Sequence, residues 1–470
     1  MPKNKIKIIM AAAELAPLVK VGGLGDVTGS LPRALAKLGL DLAIFLPFYG
    51  SIDRKKYKAK LLKDFLSIDI SSKQEKFAVY LSHLPESNIK IFLISHPLFS
   101  GKDIYVAGSR YFKKGNYSSS KGVYSREISD IERFVFFSKA VVESIRVLKL
   151  RPDLIHCHDW HTALIPTFID EYSLEHADFK NIKTIYTIHN LANQGIAGLD
   201  ILDYASLSHD LTPAIMEDYY DVDGQVMDLM KVGILSADYV STVSPTYSRE
   251  ILSKEYGAGL EKYLNRRKKH LVGILNGIDT DFFNPQKDKY IKKKYSLANV
   301  FSVKKINKEN LQRISRLPLG NQPLFGLVSR LVPQKGLDIL LLVIEKLIEK
   351  YDLQLIILGT GKKDIEVSWQ NLAKKYPRNI KTNIGFDVAL AQKIYAGADF
   401  FLMPSAFEPC GLGQMISMRY GTIPIVRQTG GLKDTVKNKK NGFVFKNYDK
   451  ESLAKTMLEA IKFYQQKSQF

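Results

Sequence analysis

The chain has 470 residues, 45% of them hydrophobic and 25% charged, with a formal net charge of +20. That is room for two domains with a core each, in a composition ordinary for a globular protein. It excludes a membrane-spanning protein, since no run approaches about 18 apolar residues, and a disulfide scaffold or cysteine-rich zinc site, since Cys157 and Cys410 are the only cysteines. The apolar stretch after Lys7 is short and ends at Glu14, so it is no signal peptide, and a cytoplasmic protein is expected. The basic clusters Arg266 to Lys269 and Lys292 to Lys294 are not interleaved with aromatics. The charge therefore reads as a lysine-rich solvated surface that suits polyanionic small substrates, not as a nucleic-acid interface.

Buried strands and helices alternate along the chain. In the first half the strand-like segments are IKIIMAAAE, LDLAIFLPF, IKIFLISH, DLIHCHDWH, IKTIYTIHN and DYVSTVSP, with a helix over DIERFVFFSKAVVESIRVLKL. The second half repeats this with LFGLVSRL, LQLIILGTG, IKTNIGF, DFFLMPSAFEPCG and TIPIVRQTGG, separated by helices such as GLDILLLVIEKLIEKY and ALAQKIYAGA. Near-continuous apolar strands between helices predict parallel sheets covered on both faces. The fold class is α/β, with two doubly wound Rossmann-like domains, residues 1–272 and 273–470, facing an interdomain cleft. Asp288 to Leu317 is polar and reads as a surface excursion. Ligands of such sheets bind at the carboxyl ends of the strands, where most of the chemically suggestive residues fall.

The first of these is KVGGLGDV. Gly22, Gly23 and Gly25 allow close backbone approach at a helix start, and Lys20 adds a mobile cation, as a phosphate site requires. A tight turn with a surface lysine is the alternative. A dinucleotide fingerprint fails because Thr28 stands where the last glycine belongs, and no P-loop G-K-[ST] is present. HCHDWH offers His156, His158, Asp159 and His161 at a strand end. The two alternate histidines could pair, but no further ligand cluster is apparent, so no metal is expected. The D-x-D of Asp221 to Asp223 follows no clear strand and is read as incidental. His189 and Asn190 end another strand, where a histidine either bonds a sugar hydroxyl or packs in the core.

In SRLVPQKG, Arg330 and Lys335 are placed to converge on one anion, such as a diphosphate. In PSAFEPCGLGQ, Glu408 precedes a helix start at which Cys410 and Gly411 offer N–H groups. In RQTGGLKDTV, Thr429, Gly430 and Gly431 form another glycine turn with N–H donors.

Taken in order, KVGGLGDV, HDWH, TIHN, NGID, SRLVPQKG, PSAFEPCGLGQ, YGTIPIVRQTGGLKDTV and NGFVF resemble the bacterial glycogen synthase and plant starch synthase family. The resemblance runs from Ile8 to about Phe445, and K-x-G-G-L and E-P-C-G-L are its specific signatures. It implies the GT-B fold and a retaining, metal-free and cofactor-free transfer of glucose from ADP-glucose to the non-reducing end of an α-1,4-glucan. It also implies residue roles. Lys20, Gly22 and Gly23 meet the donor, Asp159 and His189 line the glucose site, and Arg330 and Lys335 hold the diphosphate. Glu408, with Cys410 and Gly411, supports the glucose hydroxyls, Thr429 to Gly431 complete the diphosphate cradle, and Phe386 lies near the base.

Many retaining GT-B relatives carry E-x7-E, whose second position here is Ile416, which argues against that branch. Asn193 replaces an aromatic common in the family, and NGIDTDFFNP replaces a tryptophan-bearing consensus. The family usually continues beyond the last helix, whereas this sequence ends at Phe470, which bears on domain closure. The competing readings are a related transferase using another sugar nucleotide and a non-catalytic glucan-binding homologue.

Overall fold

The computed structural model describes residues 5–105, 130–198, 200–207 and 226–467. The chain divides into two units, Met1–Thr242 with Ile251–Val272, and Val243–Glu250 with Gly273–Phe470.

Unit 1 is built on β1 (Lys7–Ala11), β2 (Asp41–Pro47), β3 (Lys60–Ile70), β4 (Lys73–His83), β5 (Lys90–Ser95), β6 (Leu154–His158) and β7 (Lys183–Ile188). It continues with β8 (Ile196–Gly198), β9 (Val226–Asp228), β10 (Tyr239–Thr242) and β11 (Leu271–Gly273). Nine of these form one sheet in the order β11-β10-β7-β6-β1-β2-β5-β4-β3, and β8 pairs with β9 alone. From β10 to β5 the neighbours run parallel, and their apolar runs are buried. The β5-β4-β3 end is antiparallel, which corrects the expectation of a purely parallel sheet. Residues Lys60 to Phe65 of β3 are solvent-exposed, so the strand lacks the apolar run of its neighbours. It is also bent: its register shifts twice, and Phe65 has φ +56°.

The helix Asp130–Val147 lies almost entirely inside unit 1. Phe134, Phe136 and Phe137 are each no more than 1% exposed, and each such side chain contributes roughly 1.5–3 kcal/mol by leaving water. Arg133, buried among them, donates to the carbonyls of Leu98 and Ile104 and to Asp130, so its charge is buried with partners.

Unit 2 carries β12 (Leu324–Val328), β13 (Gln354–Gly359), β14 (Ile380–Ile384), β15 (Phe400–Met403), β16 (Ile423–Arg427) and β17 (Phe443–Phe445). Their order is β14-β13-β12-β15-β16-β17, all parallel. The order reverses between β12 and β15, and such a switch point is where doubly wound sheets bind ligands. Helices Leu337–Tyr351 and Lys450–Lys467 pack into the main core of this unit.

Two readings change in unit 2. The stretch read as an excursion contains the helix Val300–Ile314, whose Leu311 and Gln312 are fully buried. Its polar residues look solvent-facing in sequence but are paired inside: Lys308 Nζ reaches Asp399 at 2.6 Å and the Gln322 carbonyl at 2.7 Å. The segment Val243–Glu250, numbered with the first domain in the sequence reading, belongs to unit 2. Asp434 holds it, accepting Ser244 Oγ at 2.5 Å, Thr246 Oγ1 at 2.6 Å and the Thr246 N–H at 3.0 Å.

Candidate functional site

In unit 1 the residues of interest follow β1, β6 and β7. The loop after β1 enters the helix Gly23–Lys37, and no side chain of Gly22 is available to cap it. Glu14 does this from a distance: its Oε2 accepts the N–H groups of Val21 at 2.8 Å and Gly22 at 2.9 Å. Its Oε1 accepts the Tyr105 hydroxyl at 2.9 Å. The Gly22 N–H expected to face a phosphate is therefore held by a buried carboxylate. Lys20 Nζ pairs with Asp26 Oδ1 at 2.6 Å, and both side chains stay partly exposed. Gly25 lies so close beneath that a Cβ would sit 3.0 Å from Glu14 Oε2 and from Lys20 Cγ. Sequence reasoning missed Glu14. Its one signal is a carboxylate that ends an apolar strand segment instead of a loop.

Asp159 stands at φ +55° and ψ −178°, a region that non-glycine residues avoid at a cost of about 1–3 kcal/mol. Its N–H donates to the Thr187 carbonyl, and its carboxylate accepts the N–H groups of His189, at 2.7 Å, and Asn190. These bonds fix the residue and place His189 just past β7. Burial raises the Asp159 carboxyl to about 7, against the opposing pull of those two N–H groups. The rings of His156 and His158 lie 4.1 Å apart, as alternate strand positions predict. Neither forms a metal cluster: His156 Nε2 meets Thr187 Oγ1 at 2.6 Å, and His158 Nδ1 meets His189 Nε2 at 3.0 Å. Among the described residues no group of three or more His, Cys, Asp or Glu is placed to hold a metal. Asp221 to Asp223 lie outside the described residues.

Burial lowers His156 to about 4, His161 and His189 to about 3, and His158 well below its usual value. At neutral pH all four are uncharged, so His189 offers a hydrogen bond and no charge. Below about pH 6.5 the unfolded chain protonates these four histidines while the folded chain does not. Asp159 opposes this with one proton, because its folded value is raised and the folded state binds that proton first. The histidines outnumber it, so stability falls as pH drops from 6.5 toward 4. The expected loss is at least about 1.4 kcal/mol per pH unit. Urea midpoints measured across that range check this; a flat or rising profile contradicts it.

In unit 2 the residues follow β12, β14, β15 and β16. Lys335 ends a short 3-10 turn, Pro333–Lys335, and its Nζ lies 2.9 and 2.7 Å from the two carboxylate oxygens of Glu408. Ser405 Oγ donates to the same carboxylate at 2.9 Å. The pair is largely buried, with side-chain exposures of 16% and 7%. Arg330 is exposed and has no ion pair among the described residues. It is the cation of this group that remains available to a ligand. Gly336 follows Lys335 with φ +70°, and a Cβ there would lie 1.9 Å from the Pro404 carbonyl oxygen. Gly336→Ala therefore displaces either Lys335 or the Glu408 turn. We expect it to lose at least about 3 kcal/mol of stability, read by urea titration.

The turns around Glu408 and Gly430 are stacked back to back. A Cβ on Gly430 would sit 1.9 Å from the Glu408 carbonyl oxygen, and one on Gly431 would sit 2.3 Å from that of Cys410. Only glycines fit this contact. The Gly431 N–H donates to the carbonyls of Glu408 and Pro409, and the Thr429 N–H to that of Arg427. The Gly430 N–H donates to the Glu250 carboxylate at 3.1 and 3.0 Å. The N–H donors expected to cradle a diphosphate are thus engaged within the protein, and Glu250 occupies the anion position. Cys410 is 4% exposed and burial pushes its thiol up to about 12, so it contributes backbone and packing, not a thiolate. Gly411 has φ +73° beside it. Phe386 is 70% exposed after β14, a ring open to stacking.

Among the described residues no helix is long and apolar enough to cross a membrane. Residues 7–266 match the family described as starch synthase catalytic domain, and residues 307–470 match glycosyl transferases group 1. Proteins named glycogen synthase are similar over nearly the full length. That of Alkaliphilus metalliredigens is 41% identical, covering 99% of this chain and 94% of the relative. That of Bacillus subtilis is 39% identical, covering 98% and 91%. The solved catalytic domain of starch synthase IV from Arabidopsis thaliana, bound to ADP and acarbose, superposes with a TM-score of 0.86 at 32% identity, covering 98% of this chain and 92% of that one. A sucrose-phosphate synthase from Thermosynechococcus elongatus, with a TM-score of 0.56 at 17% identity, shares the fold. With its paired α/β units, its strand-end residues and these full-length matches, the chain belongs to the glycogen and starch synthase family and is a glycosyltransferase of GT-B architecture.

Proposed function

We propose that the chain is a glycogen synthase that transfers glucose from ADP-glucose to the non-reducing end of an α-1,4-glucan with retention of configuration. The observation that carries this reading is the buried Lys335–Glu408 pair beside the uncommitted Arg330. When the glucose–phosphate bond breaks, negative charge grows on the ADP diphosphate and positive character on the anomeric carbon. Arg330, exposed, and Lys335, largely buried, stabilise the first as cations. Glu408 orients Lys335 and accepts bonds from glucose hydroxyls. Cys410 and Gly411 hold that turn in place.

In this reading Lys20 meets the donor at the Gly22–Gly23 turn, and Glu14 keeps that turn in shape. Neutral His189, anchored by Asp159, hydrogen-bonds the sugar near the reacting carbon. Phe386 stacks on the adenine. The acceptor hydroxyl attacks from the face the diphosphate leaves, which preserves configuration. Thr429 to Gly431 reach the diphosphate only once Glu250 releases the Gly430 N–H. The reaction takes place in the cytoplasm without a metal.

Labelled ADP-glucose and UDP-glucose, each offered with glycogen in the presence of EDTA, test the reading. Incorporation from ADP-glucose despite the chelator is expected. Incorporation from UDP-glucose alone overturns the donor. A folded protein that binds glycogen and incorporates neither overturns the enzyme assignment in favour of a glucan-binding homologue.

A further inference from the structure

At the carboxyl ends of β16 and β17, unit 2 has an open surface cavity of about 560 Å³ lined by Arg427, Gln428, Lys433, Lys446, Asn447 and Tyr448. Small-molecule sites span roughly 300–1,000 Å³. Three of the six lining residues are cationic and none is acidic. Lys433 and Lys446 are exposed, and neither has an ion pair among the described residues. The Arg427 guanidinium lies 5.4 Å from the centre of the Tyr448 ring and donates to the Ala406 carbonyl, while its Nε is buried without a protein partner. The Tyr448 hydroxyl donates to Asp338 at 2.7 Å, which fixes the ring. Like charges converging on one cavity repel unless an anion lies among them.

Burial raises the Glu250 carboxyl above its usual value, while the Gly430 N–H, Lys433 and Arg427 favour its charged form, so one carboxylate partly offsets the lining cations. One phosphate dianion matches the two lysines and the arginine. The remaining lining, two amides and an aromatic ring, matches the hydroxyls and apolar face of a pyranose. Inorganic phosphate would leave those groups unused.

We propose that this cavity binds a monophosphorylated sugar, with its phosphate among Arg427, Lys433 and Lys446 and its ring against Gln428, Asn447 and Tyr448. None of the six residues is assigned to the donor, but Gln428 directly precedes Thr429 and Lys433 lies in the helix that begins at Gly430, so the test must separate this site from the neighbouring diphosphate position.

Calorimetric titration of the full chain with glucose 1-phosphate, with ADP saturating the donor site, tests it. Binding is expected to persist under ADP. It should weaken at least about tenfold in the double variant Lys433→Ala, Lys446→Ala, while the KM for ADP-glucose stays within about twofold of the parent. Gln428→Ala with Asn447→Ala should weaken glucose 1-phosphate and leave inorganic phosphate unchanged. Binding abolished by ADP would assign the ligand to the donor site and overturn the proposal. So would unchanged affinity in the lysine double variant, or inorganic phosphate binding as tightly as the sugar phosphate.

Discussion

Lys335→Ala is expected to lower kcat/KM for the proposed ADP-glucose donor by about a thousandfold, to be read from initial rates at limiting donor. Two effects combine in that number and can be separated. The first, in the proposed reading, is loss of a fixed cation where the leaving group's charge develops. The second is structural: Glu408 is buried, and both its oxygens face Lys335 Nζ. Removing the ammonium strands a buried carboxylate, which costs about 3–5 kcal/mol of stability. Adding Glu408→Gln removes the stranded charge. The double variant is therefore expected to recover most of the lost stability and none of the lost turnover. If activity returned with stability, Lys335 would be a structural partner of Glu408 and the diphosphate contact would be wrong.

Asp159→Gly is expected to cut kcat by about a hundredfold while leaving the unfolding free energy within about 1 kcal/mol of the parent. Glycine adopts φ +55° without penalty, so the substitution relieves about 1–3 kcal/mol of backbone strain. It also deletes the carboxylate that accepts the His189 and Asn190 N–H groups, a loss of about 1.5–3 kcal/mol. The two terms nearly cancel in stability. In the proposed reading they do not cancel in function, because the anchor of His189 is gone and the groups assigned to the sugar lose their fixed geometry. Rate assays paired with urea unfolding decide the matter. A large fall in stability would remove the strain from the account, and an unchanged kcat would remove the positioning role.

How much of this was legible in the sequence depends on the range of the interaction. Strands such as β1, β6, β12 and β15 announce themselves as apolar runs, because burial on both faces demands them. The residues at their ends could be picked out by type: Lys335, Glu408, His189 and Asp159 all have chemistry that a strand end displays to a ligand. That Lys335 and Glu408 touch, 73 positions apart, needed the fold. Glu14 went unread because a carboxylate that caps a helix start from another segment leaves no local signature. Glu250 went unread for the same reason, since its partner Gly430 is 180 positions away. The β3–β4 hairpin was missed because charged residues interrupt the apolar ones in β3 and its first half is exposed, so it shows no continuous apolar run. Val243–Glu250 was placed with the wrong unit because chain order, not the hydrogen bonds to Asp434, set the boundary.

The bend in β3 bears on how the protein behaves when crowded. β3 is the outermost strand of the nine-stranded sheet, and a straight, apolar strand in that position would template pairing with other chains. Here Lys60 and Lys63 bring charge to the margin, and the two register shifts with the left-handed Phe65 break the regular spacing of donors and acceptors. A second chain brought alongside finds no continuous ladder to extend.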